Sequence, residues 1–395
     1  MNRFLLMLPL LWVVTGAASA ADVWTLTRGD FTSQAVHVLA LDEKGARIVP
    51  VSGGDEQFVP IDDFLEIERQ VPESANQAFV LHLASGDRLV GMPVGMSDVN
   101  VIWKNDALGE FPVPLREVRV LAGPAQFVEP SVETPTEDQV MLANGDSISG
   151  VISDLQPDVL GIQSGGDVVS IPMESVAMVR FTAVGDPGET KSPSQGFRLR
   201  LADGSIVTVA QASLGGESAS ILINGDSPRD IPLARLAVVE QINGPVAWLP
   251  SLPTSEIVQQ SFLETSWSTR MNLTSNGQPI RFGQRTYTHG IGVHAYSRIT
   301  YPLDGRFKAF RTQYAIDGNW PYANVIVRIK LDDRVVHEQT DFQSGRLHPV
   351  FLVELGNAKS LTLEVDYGQT YDVQDRFNWI EPALLRNVPA TQPVQ

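Results

Sequence analysis

The stretch Arg285-Thr286-Tyr287-Thr288-His289-Gly290-Ile291-Gly292-Val293-His294-Ala295 organises the reading of this chain. Gly290 and Gly292 flank one apolar residue, a spacing that points to a tight backbone path or to close approach of another surface. His289 and His294 are two of the six histidines. Downstream lie Tyr301-Pro302-Leu303-Asp304-Gly305, Ala315-Ile316-Asp317-Gly318-Asn319-Trp320 and Asp375-Arg376-Phe377-Asn378-Trp379-Ile380-Glu381. Around them the residues alternate. In Val327-Arg328-Ile329-Lys330-Leu331 and in Leu361-Thr362-Leu363-Glu364-Val365-Asp366 apolar side chains fall on one face and polar ones on the other. That period of two predicts strands with one wet face, hence two packed sheets. Asp332-Asp333 and Gly356-Asn357 read as hairpin turns, and Ser255 to Leu263 as at most a short helix.

In order and spacing these motifs resemble the NPCBM family of carbohydrate-binding modules, over roughly Trp248 to Leu385. The resemblance implies a jelly-roll-like β-sandwich that binds sugars. By that likeness His294, Asp317, Asp375 and Trp379 fall on family positions. The chain departs from the family's ending, because Ile380 stands where a small residue is usual and Pro382, which lacks an N–H, follows Glu381.

A sugar site needs a ring to stack on a pyranose and a few polar groups for its hydroxyls. Trp320, set among Asp317, Gly318, Asn319 and Pro321, is the expected platform, with Asp317 and Asn319 beside it. His294, Asp375, Asn378 and Trp379 complete the candidate carbohydrate-binding set. For Trp379, next to Ile380 in a strand-like run, burial in the core competes with that role. Asp317 and Asp375 also suit capping of a loop or a structural calcium ion. No spaced Asp/Asn loop with a terminal Glu spells out calcium, and with no cysteine and no helically spaced histidine pair there is no zinc motif. The metal therefore stays open, and no other cofactor is implied.

Upstream runs a degenerate repeat. Gly29-Asp30, Gly86-Asp87 and Gly145-Asp146 open successive copies, and Asp203-Gly204 reverses the dipeptide in a fourth. An apolar-Pro-apolar triplet follows in each copy, at Pro60, Pro114, Pro172 and Pro232. Four copies at nearly one period indicate a repeated supersecondary unit. Each copy alternates in short strands, as in Phe79–Leu83 and Phe197–Leu201, turns at the Gly-Asp pair, and places one tight helical turn before a last apolar strand. The expected fold is all-β: small Sm-like barrels or β-rolls at 22–70, 78–123, 139–183 and 197–245, then the sandwich at 246–388. Linkers are read at 124–138 and 184–196 and a tail at 389–395. Their placement suggests that copies one and two form one body and that copies three and four are tethered separately.

Composition narrows the function. The 395 residues carry a formal net charge of −17 without a basic run. That disfavours nucleic acid or an anionic membrane as partner, because phosphate contacts need clustered Lys and Arg. Residues 1–20 read as a signal peptide: Arg3, the apolar Phe4 to Val14, and the small Ala18-Ser19-Ala20 before cleavage. No later stretch is long enough to span a bilayer. The expectation is a bacterial protein that is secreted, periplasmic or on the cell surface. It binds a glycan without catalysis, and its repeats serve as spacer or as docking surface for envelope proteins. The alternatives are an envelope scaffold whose sandwich no longer binds sugar and a glycoside hydrolase, which would need paired acids in a cleft.

Overall fold

The computed structural model describes residues 23–71, 78–124, 135–182, 195–223, 228–262, 267–371 and 373–387. The signal segment, the tail and most of both linkers lie outside them. The described chain is all-β, and its helical elements are three-residue 3-10 turns.

The repeats are four small barrels on one plan. In barrel 1, strands Val23–Arg28, Ser33–Asp42, Gly45–Pro50 and Gln57–Pro60 pair in succession. A 3-10 turn, Ile61–Asp63, then sends Phe64–Glu68 back to the first strand, with Leu26 opposite Ile67. The triplet proline makes that corner. Pro60, Pro114, Pro172 and Pro232 all sit at the N-terminus of the 3-10 turn with φ between −59° and −56°, the angle their rings impose. The opening turn uses a left-handed glycine in three copies, at Gly86 (φ 85°), Gly145 (φ 92°) and Gly204 (φ 89°). Thus the glycine is the shared position, and the fourth copy's reversal only moves the Asp from after it to before it. Copy one breaks the pattern: Phe31, not Gly29, holds the left-handed slot (φ 66°) and closes the turn on Arg28 O.

The barrels do not associate in chain order. The last strand of barrel 1 pairs with that of barrel 4, Leu236–Ile242, with Ile67 opposite Val239. The last strand of barrel 2, Val118–Ala122, pairs with that of barrel 3, Val176–Arg180, with Leu121 opposite Val179. This corrects the expected union of copies one and two. Each closing strand carries apolar residues and keeps one free edge after pairing with its own first strand. A free apolar edge is covered by the edge that matches it, whatever the linker length. Barrels 2 and 4 also meet through their opening turns: Thr208 donates N–H and Oγ1–H to the Asp87 carboxylate at 2.8 and 2.7 Å, and Val90 N–H reaches Ser205 Oγ at 2.9 Å. One apolar core runs from Trp24 to Val239 through all four.

The C-terminal region is a sandwich of two antiparallel sheets. One contains Arg270–Met271, Gly290–His294, Arg376–Leu385, Ala309–Ile316 and Phe351–Glu354, with Val246–Trp248 paired to the far half of Arg376–Leu385. The other runs Glu256–Gln259, Ser297–Pro302, Ser360–Tyr367, Asn324–Leu331, Arg334–Gln343. Val325, Val327, Ile329 and Tyr301 of this sheet share the core with Tyr314, Phe377 and Trp379 of the other. Asp332 and Asp333 take φ 48° and 66°, the paired left-handed angles of a two-residue hairpin. The segment expected to contain a short helix, 255–263, instead forms the strand Glu256–Gln259 along Ser297–Pro302. Sheet pairing satisfies its backbone where an isolated helical turn cannot.

Candidate functional site

Arg376–Leu385 runs the length of the sandwich, about 30 Å at 3.4 Å per residue. Its two ends have different environments. The Leu385 end meets the barrels. The Arg376 end carries the loop residues 317–323, 344–350, 368–371 and 373–375, where the sequence places most of the candidate residues.

At that end Trp320 is 37% exposed. The Arg376 guanidinium lies 4.9 Å from its ring centroid and backs it as a cation–π partner. Gly318 (φ 75°) lets the ring fold back: a Cβ there would fall 2.6 Å from Trp320 Nε1. Ser344 Oγ–H donates to Trp320 O at 2.6 Å. Asn319 is exposed beside Gly345. Asp317 is half-buried with its N–H on Arg376 O at 2.6 Å; burial pushes its carboxyl up and Arg376 opposes that. These three candidates thus share one rim.

The other four lie beneath it. His294 is buried with its ring stacked on Trp267, centroids 4.6 Å apart and planes within 4°. Asp375 is fully buried and accepts Asn324 N–H at 2.9 Å. Asn378 is buried, opposite Gly292 and Ala315 in the ladders. Trp379 is fully buried, edge-on to Phe377 at 5.1 Å and to Tyr314 at 5.7 Å. These side chains offer no surface to a ligand; they shape the floor on which the rim loops stand. Trp379 is core because its strand is covered on both faces.

The loop end holds aromatic residues that the motif reading did not single out. Tyr322, Tyr371 and Phe262 are 63%, 58% and 54% exposed. Phe262 and Tyr371 are in contact at 4.7 Å. Thr370 Oγ1–H donates to Tyr322 O at 2.6 Å, and Tyr322 N–H to Gln374 Oε1 at 3.3 Å, so the loops bearing Trp320 and Tyr371 are tied together. Among the described residues no group of three or more His, Asp or Glu is placed to hold a metal ion; Asp372 lies outside them. A groove of about 910 Å³ lies at barrels 1 and 4, lined by Asp42, Glu43, Asp62, Gln211, Gln241 and Arg386 among others.

His289, five residues before His294, faces the other way. It points to the barrels, where its Nε2 meets Glu240 at 2.9 Å. Glu381 is also there, paired with Arg285 at 2.9 Å and Arg311 at 3.4 Å.

Solved structures similar to the chain include a CBM51 module of a Clostridium perfringens GH95 protein in complex with methyl-galactose (20% identity, 35% of this chain and 99% of that one, TM-score 0.31). They also include the CBM51-2 and INT domains of Clostridium perfringens ZmpB (19% identity, 44% of this chain and 37% of that one, TM-score 0.32). A third is the tandem CBM51 pair of the Streptococcus pneumoniae SP3-BS71 family 98 glycoside hydrolase (11% identity, 64% of this chain and 89% of that one, TM-score 0.32). No curated protein matches the chain. The sandwich with its aromatic loop end coincides with residues 248–385, which match the family model of the NPCBM/NEW2 domain.

Proposed function

We propose that this protein is an exported carbohydrate-binding protein that takes a glycan at the loop end of its sandwich and acts without catalysis. One observation carries the reading: the end of the sandwich that points away from the barrels gathers Trp320, Tyr322, Tyr371 and Phe262 at the surface, with Asp317, Asn319 and Arg376 among them. Exposed rings beside fixed polar groups suit the apolar faces and hydroxyls of a saccharide. The match to the NPCBM/NEW2 domain supports the same ligand class, and the signal-like residues 1–20 support export to the periplasm or cell exterior.

The mechanism is passive. Trp320, backed by Arg376, stacks on a sugar ring; Asp317 accepts and Asn319 donates and accepts hydroxyl hydrogen bonds. A single stacking contact contributes on the order of 1 kcal/mol beyond burial, so one site binds weakly and multivalent display strengthens it. The four barrels act as the base that presents this end, with their outer surface free for envelope partners.

A glycan-array screen of the full chain, with and without calcium, followed by titration of the best glycan into Trp320→Ala, tests this. The expected result is binding that falls at least about tenfold in the variant, equivalent to about 1.4 kcal/mol, while the melting temperature holds. Unchanged affinity refutes the site, and silence across the array refutes the glycan reading.

A further inference from the structure

Barrels 2 and 4 meet through a contact that reads the same from either side. In both, the turn glycine (Gly86, Gly204) is followed by an oxygen-bearing residue, Asp87 or Ser205. Three residues further on, Val90 or Thr208 presents an N–H on the outer edge of the strand. Each oxygen takes the other barrel's N–H: Asp87 from Thr208 at 2.8 Å, Ser205 from Val90 at 2.9 Å. The Thr208 hydroxyl adds a second bond to Asp87 at 2.7 Å. At the centre Arg88 stands opposite Ile206 in an antiparallel pair. The contact covers what it joins: Asp87 is 7% exposed and Ser205 0%.

Barrel 3 carries the same set and leaves it open. Gly145 (φ 92°) is followed by Asp146, Ser147 and, in fourth place, Ser149. The turn is closed by the same bond, Leu142 N–H to Asp146 O, as Leu83 to Asp87 O and Leu201 to Ser205 O. Ser149 pairs with Gln139 as Val90 does with Val80 and Thr208 with Arg198. Its N–H therefore takes the same outward direction, and pairing with the next strand begins only at Val151. Among the described residues nothing lies within 4 Å of a Cβ built on Gly145, and Asp146, Ser147 and Ser149 are all exposed. Barrel 1 lacks the set. Phe31 holds its turn position, packed edge-on to Trp248 at 5.8 Å and under the Arg311 guanidinium at 3.9 Å. Thr32 follows in place of an acid, with its hydroxyl donated to Asp30 at 2.6 Å.

We propose that two copies of this chain join through barrel 3, in a twofold contact built like the one between barrels 2 and 4. Asp146 of each copy accepts the N–H and hydroxyl of Ser149 of the other, and the two Ser147 residues stand opposite each other on the axis. A contact in which each side gives what it takes is self-complementary, so it closes at two copies. It also covers an open strand edge, which otherwise remains a template for other chains. Bonds from an N–H and an O–H to a carboxylate are charge-assisted and stronger than neutral ones. Ser147 suits the axis: two arginines at that place, as in barrel 2, would repel, whereas two serines can bond. The contact is small, so the pair is a weak, concentration-dependent one. It places two sandwiches in one particle, which strengthens binding to any surface that repeats their ligand.

Sedimentation velocity of the full chain at about 150 mM salt, from about 1 to 100 µM, tests this. A dimer is expected to grow in over that range. Asp146→Ala, at an exposed turn position, is expected to weaken it at least about tenfold with the melting temperature unchanged. The chain has no native cysteine, so cross-linking gives an independent reading. Opposite Cβ atoms on paired strands lie about 4.5–5.5 Å apart, close to disulfide reach. Ser147→Cys is therefore expected to give a disulfide-linked dimer on mild oxidation, and Ser33→Cys, the same position in barrel 1, to stay monomeric. A chain that is monomeric throughout, a dimer as tight in Asp146→Ala as in wild type, or cross-linking through Ser33→Cys in place of Ser147→Cys each overturns the contact. No sugar enters these measurements, so the dimer and the glycan site stand or fall separately.

Discussion

Gly292→Ala tests the backbone reading of the motif from which the sandwich was inferred. Gly292 sits mid-strand, opposite Asn378 on one side and Arg270 on the other. A Cβ at this position would lie 2.5 Å from Ser275 N and closer still to Leu273 O and Thr274 C, against 3.4 Å or more for an ordinary contact. The shortfall is about 1 Å, and every atom it meets is backbone, so no side chain can swing away. Overpacking a dense interior costs about 1–3 kcal/mol. With the rigid 273–275 segment as the obstacle, the upper end of that range is expected. Thr274 adds to the rigidity, since its N–H and hydroxyl both bind Gln278 O, at 2.8 and 3.0 Å. Urea unfolding of the full chain, followed by tryptophan fluorescence, reads the loss as a lower midpoint of the sandwich transition at unchanged slope. Gly290→Ala is the internal comparison. One of its obstacles is the flexible Ile280 Cδ1 at 2.6 Å, the other Trp379 O at 2.7 Å, so a smaller loss is expected. A Gly292→Ala protein as stable as wild type refutes the close-approach argument.

Trp379→Ala removes a fully buried ring from the centre of the core and is expected to destabilise the sandwich by about 3–5 kcal/mol, read in the same denaturation. Gly318→Ala is expected to displace Trp320 and weaken glycan binding about as much as Trp320→Ala, with little change in melting temperature; retained binding would show that the ring's fold-back is dispensable. Burial works to raise the Glu364 carboxyl, but bonds from Lys330 at 2.7 Å and Arg328 at 2.9 Å bring it below its ordinary value. Its contribution is therefore present above the ordinary glutamate range and lost as pH falls through the depressed value. Glu364→Gln is expected to flatten the acid limb of stability against pH; an unaltered acid limb counts against the pairing.

The sequence alone carried the fold class a long way. Alternation with period two put Val327 and Ile329 inside and Arg328 and Lys330 outside without any tertiary information, because a strand's side chains alternate whatever it packs against. Asp332-Asp333 announced a two-residue hairpin, and the apolar-Pro-apolar triplets marked the corner of each barrel, since both are properties of local backbone. Trp320 was legible as a rim residue from its polar neighbours. Only the tertiary structure decided what those local properties left equal. Four residues separate His289 from His294, yet one reaches Glu240 across a domain junction and the other stacks in the sandwich on Trp267. Asp375 and Asn378 looked as polar as Asp317 and Asn319 but lie under the rim, because burial depends on which loops cover a strand end. The pairing of barrel 1 with 4 and 2 with 3 was invisible because four similar apolar edges can pair in several ways. The choice among them rests on which edges the whole assembly brings together, a long-range property that no window of sequence contains.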